Sequence, residues 1–168
     1  MKRVLTICAI ATLTAFPVFG AGSGNAGTSG EPVVKKESPA VGAYNKGVDL
    51  MKQKRFAQAQ GEFETAVKLD PRFAEAYNNL AFTLRKQGSS NYQKSLSYYN
   101  KAIELNPKLA EAYMYRGVLY SQMGRKADAQ ADLALLKKMN GRLAKELEEF
   151  LQTGKEDDEL YGATTKKK

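Results

Sequence analysis

The sequence predicts an all-α fold in which pairs of helices repeat along the chain. From Pro39 onward, apolar residues recur at helical spacing almost without interruption, and no segment alternates as a strand would. Two segments thirty-six residues apart share their pattern and several letters: DPRFAEAYNNLAFTLRKQG, residues 70–88, and NPKLAEAYMYRGVLYSQMG, residues 106–124. Such self-similarity is typical of a solenoid, in which each unit stacks on copies of itself.

The first twenty residues are predicted to be a secretory signal peptide, residues 1–20, outside this fold. Lys2 and Arg3 precede an apolar run, Val4 to Phe19, and the small residues Gly20 and Ala21 follow it. The alternative is an uncleaved membrane anchor, but the run has 16 residues, against the roughly 20 that a spanning helix needs. We expect secretion across the inner membrane to the periplasm, with no integral membrane segment after cleavage.

Composition excludes most catalytic chemistry in the exported chain. The sequence has no histidine, and its only cysteine, Cys8, lies inside the apolar run. Lipid modification of Cys8 is the alternative, but only a few apolar residues precede it. After cleavage the chain has no thiol nucleophile, no disulfide, no imidazole base and no zinc site. We therefore expect no cofactor and no metal.

The carboxylates do not suggest an enzyme either. Glu62 and Glu64 point to different helix faces, and Asp128 and Asp132 form an ordinary exposed pair at i, i+4. Loss of Lys2 and Arg3 leaves 24 Lys and Arg against 18 Asp and Glu, yet nucleic acid is not an expected partner outside the cytoplasm. The expected class is a non-catalytic protein.

A flexible linker is predicted over residues 21–38, which are rich in Gly, Ser, Ala, Asn and Thr and show no hydrophobic period. Ser38 then offers a helix N-cap, with Pro39 in the first turn. Short breaks divide the rest into seven antiparallel helices of about thirteen residues, each roughly 20 Å long. The breaks fall near Lys54-Arg55, Asp70-Pro71, Gly88 to Asn91, Asn106-Pro107, Gly124-Arg125 and Asn140-Gly141.

Large and small residues alternate at matching places in three units, as close helix packing requires. Each unit has a first helix (the A helix) and a second helix (the B helix). The first unit has Gly47 and Leu50, then Ala59, Phe63, Ala66 and Pro71; the second has Tyr77, Leu80, Ala81 and Leu84, then Ser95, Tyr99, Ala102 and Pro107; the third has Tyr113, Gly117 and Tyr120, then Ala129 and Leu133.

These residues resemble the tetratricopeptide repeat family, whose pattern is W-x2-L-G-x2-Y, then A-x3-F, then A and P. The resemblance covers about residues 40–140 and implies a right-handed solenoid of helical hairpins, with units at about 40–73, 74–109 and 110–140. The second unit has thirty-six residues instead of thirty-four because GSSNY, residues 88–92, adds two residues to the A-to-B turn.

Several residues depart from the family pattern. Ala43 replaces the first aromatic residue, Lys46 and Arg116 replace the leucine, and Leu136 and Gly141 replace the small residue and the proline. Terminal units of such arrays are often atypical. An amphipathic stretch, RLAKELEEFLQ, then predicts a capping helix over 141–153, which ends the repeat domain at 39–153. A disordered charged tail is predicted over 154–168.

The resemblance implies that the concave side, lined by the A helices, holds an extended peptide or a partner helix. The residues predicted to line this groove are Tyr44, Asn45, Val48, Met51, Asn78, Asn79, Phe82, Met114 and Tyr115. They supply apolar area and backbone-binding amides with almost no charge. The alternative is that Tyr44, Phe82 and Tyr115 are core residues. A carboxylate clamp, known in some family members, is not expected, because only Asn79 matches it and Glu111 would repel an anion.

A basic ridge is also predicted along the A-to-B turns. Its residues are Lys52, Arg55, Arg85, Lys86, Arg125 and Lys126. The favoured interpretation is that these cations complement the dipoles of the helices that they end. The alternative is that the ridge docks on an anionic envelope surface, which would make its binding sensitive to salt. We thus expect a protein-binding adaptor or scaffold of the cell envelope. The alternative is a self-associating structural component of an envelope assembly, without a peptide ligand.

Overall fold

The computed structural model describes residues 37–156 and 166–167. All of these belong to one compact unit, Lys36–Lys168, and a second unit, Met1–Lys35, lies outside the described residues. The predicted signal peptide, and all of the predicted linker except its last two residues, therefore also lie outside them. The predicted tail is described only at residues 154–156 and 166–167.

The described residues form seven α-helices and no strand, as the sequence predicts. A short 3-10 turn, Ser89–Asn91, precedes the fourth helix. The helices are α1 (Pro39–Lys52), α2 (Phe56–Leu69), α3 (Ala74–Lys86), α4 (Tyr92–Leu105), α5 (Ala110–Gln122), α6 (Lys126–Met139) and α7 (Gly141–Thr153). None of these helices is long and apolar enough to span a bilayer.

Side-chain caps begin the first and the last helix of the array. The Ser38 Oγ accepts a hydrogen bond from the Val41 N–H at 3.2 Å, and Pro39 occupies the first turn of α1. At the start of α7, the Asn140 Oδ1 accepts from the Leu143 N–H at 3.2 Å. Each cap satisfies a backbone donor that the first helical turn leaves without a partner.

The turns inside the first and third units have the same backbone geometry. Lys54 and Gly124 follow the A helix at equivalent places, and both have a left-handed backbone, with φ of 59° and 75°. Glycine adopts this conformation without the strain that a Cβ causes. In the second unit the 3-10 turn Ser89–Asn91 takes up the two additional residues, so the insertion changes the turn and not a helix.

Helix contacts show which side of the array is concave. The pairs α1 and α2, α3 and α4, and α5 and α6 pack as hairpins. The A helices also contact each other, α1 with α3 and α3 with α5, whereas no such contact joins the described B helices α2, α4 and α6. Because neighbours approach most closely on the inside of a curve, the A helices form the concave side. Helix α7 packs on α5 and α6, as a further A helix would.

The two glycines of the repeat pattern are required by close packing. A Cβ on Gly47 would lie 2.7 Å from the ring of Phe63, within the same unit. A Cβ on Gly117 would lie 2.6 Å from the side chain of Leu147, on α7. Phe63 and Leu147 are fully buried. The third unit therefore uses its glycine to seat the capping helix.

The two cations that replace the leucine of the family pattern each pair with an acid. The Lys46 Nζ lies 2.6 Å from the Glu62 Oε1, between α1 and α2. Arg116 pairs in the same way with Asp132, between α5 and α6. The second unit keeps the leucine, Leu80, which is fully buried. An ion pair thus replaces an apolar contact in the terminal units. The sequence suggested that Asp132 is exposed, and this is wrong, because Asp132 is buried.

Candidate functional site

Most of the predicted groove residues are buried between the A helices. Asn45 is partly exposed, and the other eight are buried: Tyr44, Val48, Met51, Asn78, Asn79, Phe82, Met114 and Tyr115. The rings of Phe82 and Tyr115 meet at 5.0 Å and join α3 to α5. Tyr44 packs on Phe73 at 4.8 Å. These aromatic residues form the floor of the concave side, and direct contact with a partner stays a prediction.

Asn45 holds the main chain of Lys167 on this side of the molecule. Its Nδ2 donates to the carbonyl oxygen of Lys167 at 2.8 Å, and its Oδ1 accepts from the N–H of Lys167 at 2.9 Å. A carboxamide presents one acceptor and two donors, so it can satisfy both polar groups of one residue in an extended segment. The Nδ2 also donates to the Glu37 side chain. The concave side is therefore able to bind a segment through its main chain.

Two carboxylates beside Asn45 bind the lysines at the C-terminal end of the chain. The Lys166 Nζ lies 2.7 Å from the Asp49 Oδ2, and the Lys167 Nζ lies 2.8 Å from the Glu75 Oε1. Asp49 lies one turn after Asn45 on α1, and Glu75 is on the neighbouring A helix, α3. This part of the concave side, Asn45, Asp49 and Glu75, is termed the acidic end.

The last turn of α3 presents the opposite charge. The Arg85 Nη1 donates to the Glu156 Oε2 at 3.1 Å, the Nη2 donates to the Oε1, and the Lys86 Nζ donates to the Oε2 at 3.3 Å. The Arg85 guanidinium lies 5.2 Å from the centre of the Phe82 ring and 6.0 Å from that of Tyr115. We term Arg85 and Lys86 the basic end. A bidentate guanidinium pair is a strong carboxylate site.

Protonation follows from these contacts. Burial favours the neutral form of Glu156, but Arg85 and Lys86 outweigh it and lower the pKa of this carboxyl. Burial likewise opposes the charge on Arg85, and its contacts with Tyr99 and Glu156 raise the pKa of Arg85 above its ordinary value. The pair is therefore ionised at neutral pH.

The predicted basic ridge is wrong in its second unit. Lys52, Arg55, Arg125 and Lys126 are exposed, as predicted, but Arg85 is buried and Lys86 is only partly exposed. The reason is helical spacing: Arg85 lies three residues after Phe82, so both side chains face the concave side. No aligned row of three exposed copies forms. The prediction of an almost uncharged groove is also wrong, because Arg85 brings a charge to the concave side.

The concave side continues from α5 to α7 as a cavity of about 410 Å³. Its lining residues are Met114, Tyr115, Val118, Glu146, Glu149, Phe150, Thr153, Lys155 and Glu156. Sequence reasoning placed Met114 and Tyr115 in the groove and missed the α7 residues. The amphipathic pattern of α7 was the available signal, because a capping helix in the place of an A helix also lines the groove.

A chain of amides runs beneath the acidic end. The Asn78 Nδ2 donates to the Asn79 Oδ1 at 3.1 Å, and the Asn79 Nδ2 donates to the Tyr44 hydroxyl at 3.2 Å. Burial, with the negative charge of Glu75, raises the pKa of Tyr44, so its hydroxyl stays neutral. Within the described part of the chain, no cluster of three or more Cys, His, Asp or Glu residues could hold a metal ion.

Stacked helical hairpins with a polar and aromatic concave side define a helical-repeat interaction protein. Models of the tetratricopeptide repeat match residues 40–73, 62–96 and 98–131, which together span more than half of the chain. The chain belongs to the tetratricopeptide repeat family, whose domains are protein-interaction modules. No curated protein matches the chain significantly.

Solved structures of the same fold match about 70% of this chain. The Arabidopsis OM64 TPR domain is 24% identical with a TM-score of 0.63, and the match covers 70% of this chain and 97% of that one. The first TPR of Spaghetti (RPAP3), bound to an HSP90 peptide, is 20% identical with a TM-score of 0.61, over 68% and 91%. TPR2B of yeast Sti1, in a complex with pHsp70, is 20% identical with a TM-score of 0.63, over 70% and 98%.

Proposed function

We propose that this protein is a non-catalytic adaptor of the cell envelope, which holds an extended segment of a partner protein on its concave side. The observation that carries the proposal is the pair of hydrogen bonds between Asn45 and the Lys167 main chain. Main-chain recognition provides affinity, and the charges at the two ends of the groove provide direction.

The peptide complexes of similar structures support this mode of binding, since RPAP3 carries an HSP90 peptide. The present chain differs in the charges that it offers. Asp49 and Glu75 bind lysines at the acidic end, so we expect a partner segment with a basic residue there. An anionic chaperone tail does not fit that end.

Export is the second part of the proposal. It is supported by Lys2 and Arg3, by the apolar run that follows them and by the small residues after Phe19. Cell fractionation and N-terminal sequencing of the mature chain test it. We expect a periplasmic protein that begins at or just after Ala21, whereas a chain retained in the cytoplasm with Met1 intact would refute export.

A pull-down from envelope extract with the mature chain tests the adaptor. Asn45→Ala removes the main-chain contact without opening the core, and Gln93→Ala on α4, an exposed amide, is the matched control. We expect Asn45→Ala to lose the partner and Gln93→Ala to keep it. Capture that is equal for both variants would refute the groove. Phe82→Ala and Tyr115→Ala are unsuitable, because these buried rings stabilise the fold.

Self-association is the second candidate function, and one observation favours it. Leu135 and Met139 lie one turn apart on α6 with 44% and 38% of their surface exposed. A pair of exposed apolar side chains can seat a second copy. Light scattering tests this: a mass that rises with concentration and falls to the monomer value in Leu135→Glu supports it, and a strict monomer refutes it.

A further inference from the structure

We propose that the concave side is occupied by the C-terminal segment of the same chain, and that a partner segment binds by displacing it. The anchors of this segment are Glu156 at the basic end and Lys166 and Lys167 at the acidic end. The inference deepens the proposed function, on which it rests, because it supplies the charge pattern that a partner must share.

The two anchors are independent of each other. Glu156 contacts Arg85 and Lys86, in the last turn of α3, while Lys167 contacts Asn45 on α1 and Glu75 at the start of α3. Each anchor combines an ion pair with at least one further hydrogen bond. Two separate contacts of matching charge therefore fix one orientation of the segment, since the reversed orientation would place lysines against Arg85.

The length of the segment fits the separation of the anchors. Glu75 and Arg85 are ten residues apart on one helix, which is about 15 Å at the helical rise. Glu156 and Lys166 are ten residues apart in sequence, and a chain of that length can span up to about 35 Å when extended. The separation in sequence is therefore large enough for both anchors to belong to one segment. At the two ends of this segment, Glu156, Lys166 and Lys167 have defined partners, and the disorder predicted for the tail stays a prediction.

The contacts of the bound tail indicate which groups a competing partner segment must offer. A partner must offer a carboxylate to Arg85 and Lys86, a main-chain residue to Asn45 and a cation to Asp49 and Glu75. A segment that is already bound lowers the apparent affinity in proportion to the fraction of molecules whose groove is free. A partner therefore displaces the tail only when its concentration or its affinity for the groove is high enough.

A synthetic peptide tests this competition directly. The probe is a fluorescein-labelled peptide with the sequence of residues 155–168, and its binding to the mature chain is measured by anisotropy. The variant Glu156→Lys/Lys167→Glu reverses one charge at each anchor of the tethered segment. We expect this variant to bind the probe roughly tenfold or more tightly than the unmodified chain. Adding Asn45→Ala to the variant should abolish that gain.

The matched control is Glu104→Lys/Lys138→Glu, which reverses the same charges at exposed positions on α4 and α6. It should bind the probe as the unmodified chain does, and circular dichroism verifies that all variants are folded. Equal affinity of the unmodified chain and the Glu156→Lys/Lys167→Glu variant would overturn the proposal, as would no binding to either. A concentration-dependent dimer that the variant abolishes would assign the segment to a second copy and also overturn it.

The peptide assay and the pull-down distinguish failure of this inference from failure of the proposed function. If the tail does not occupy the groove, the peptide assay fails while the envelope pull-down still depends on Asn45. If the groove binds no partner, the pull-down fails while the tail can still compete with the probe.

Discussion

The guanidinium of Arg116 on α5 forms a bidentate pair with the carboxylate of Asp132 on α6. The Nε to Oδ2 distance is 3.0 Å and the Nη2 to Oδ1 distance is 2.7 Å. The remaining Nη1 donates to the Asn100 Oδ1 at 2.8 Å, and the guanidinium lies over the rings of Tyr113 and Tyr120. Asp132 is almost fully buried. A fully bonded ion pair thus stands where the family pattern has a leucine.

Removal of Arg116 alone should lower the free energy of unfolding far more than removal of Arg116 and Asp132 together. Arg116→Leu leaves the buried Asp132 carboxylate without its cation, and we expect the free energy of unfolding to fall by about 3–5 kcal/mol. Arg116→Leu/Asp132→Leu replaces the pair by apolar residues and should be close to neutral. Urea unfolding of the single and double variants measures the difference. Equal losses would show that the charges do not act as a pair.

The stability of Arg116→Leu should depend on pH. Burial raises the pKa of Asp132, although the charge of Arg116 lowers it. Loss of the arginine should therefore raise the pKa of Asp132 further. A carboxyl whose folded pKa lies above its unfolded value, about 3.9, stabilises the fold below that value and loses this contribution as pH rises. Arg116→Leu should therefore be relatively more stable at pH 4 than at pH 7. The double variant is the control, and parallel pH profiles would contradict the prediction.

Gly47 should not tolerate a methyl group. Gly47→Ala places a Cβ 2.7 Å from the rigid ring of Phe63, and overpacking of a core costs about 1–3 kcal/mol. Gly61→Ala is the control, because nothing lies within 4 Å of its Cβ position on α2. It should stabilise the helix by about 1 kcal/mol. Thermal unfolding measures both, and a stabilised Gly47→Ala variant would contradict the packing of the first unit.

Acid should release Glu156 from the basic end. The pKa of this carboxyl is lowered by Arg85 and Lys86 against the effect of burial. A carboxyl with a lowered pKa stabilises its bound state above its free value, about 4.3, and loses this contribution as pH falls through the lowered value. The amide resonance of Glu156 should therefore shift to its unbound position as the pH falls below the free value. Glu156→Gln should lack this transition, and a shift that instead followed global unfolding by circular dichroism would contradict it.

Rising salt should release the two anchors of the C-terminal segment one after the other. The Lys166 and Asp49 side chains are about half exposed, whereas Arg85 is buried beside Glu156. Raising the salt from about 0.1 to 1 M shortens the screening length from about 10 to 3 Å, which weakens exposed pairs most. We expect the Lys166 resonances to lose their bound shifts first and Glu156 to keep its own. Simultaneous loss of both would contradict this order.

Local signals in the sequence predicted most of the fold. Ser38 and Asn140 cap helices, Asp70 and Asn106 mark unit boundaries, and the breaks between helices fall where turn residues cluster. These signals act within a few residues, so they can be read without a structure. The groove was harder to predict, because a position on an A helix can face the concave side and still be covered by its neighbours. Burial of Tyr44, Phe82 and Tyr115 shows this ambiguity.

The sequence by itself determined the number of helices, the repeat and the membership of an interaction family, because helical periodicity and turn chemistry are local. Only the tertiary structure decided which charges meet. Arg85 and Glu156 are 71 residues apart in sequence, and Asn45 and Lys167 are 122 apart. Contacts at such distances depend on how the A helices stack and where α7 ends. No periodic pattern records them, so the two charged ends of the groove emerge only from the folded chain.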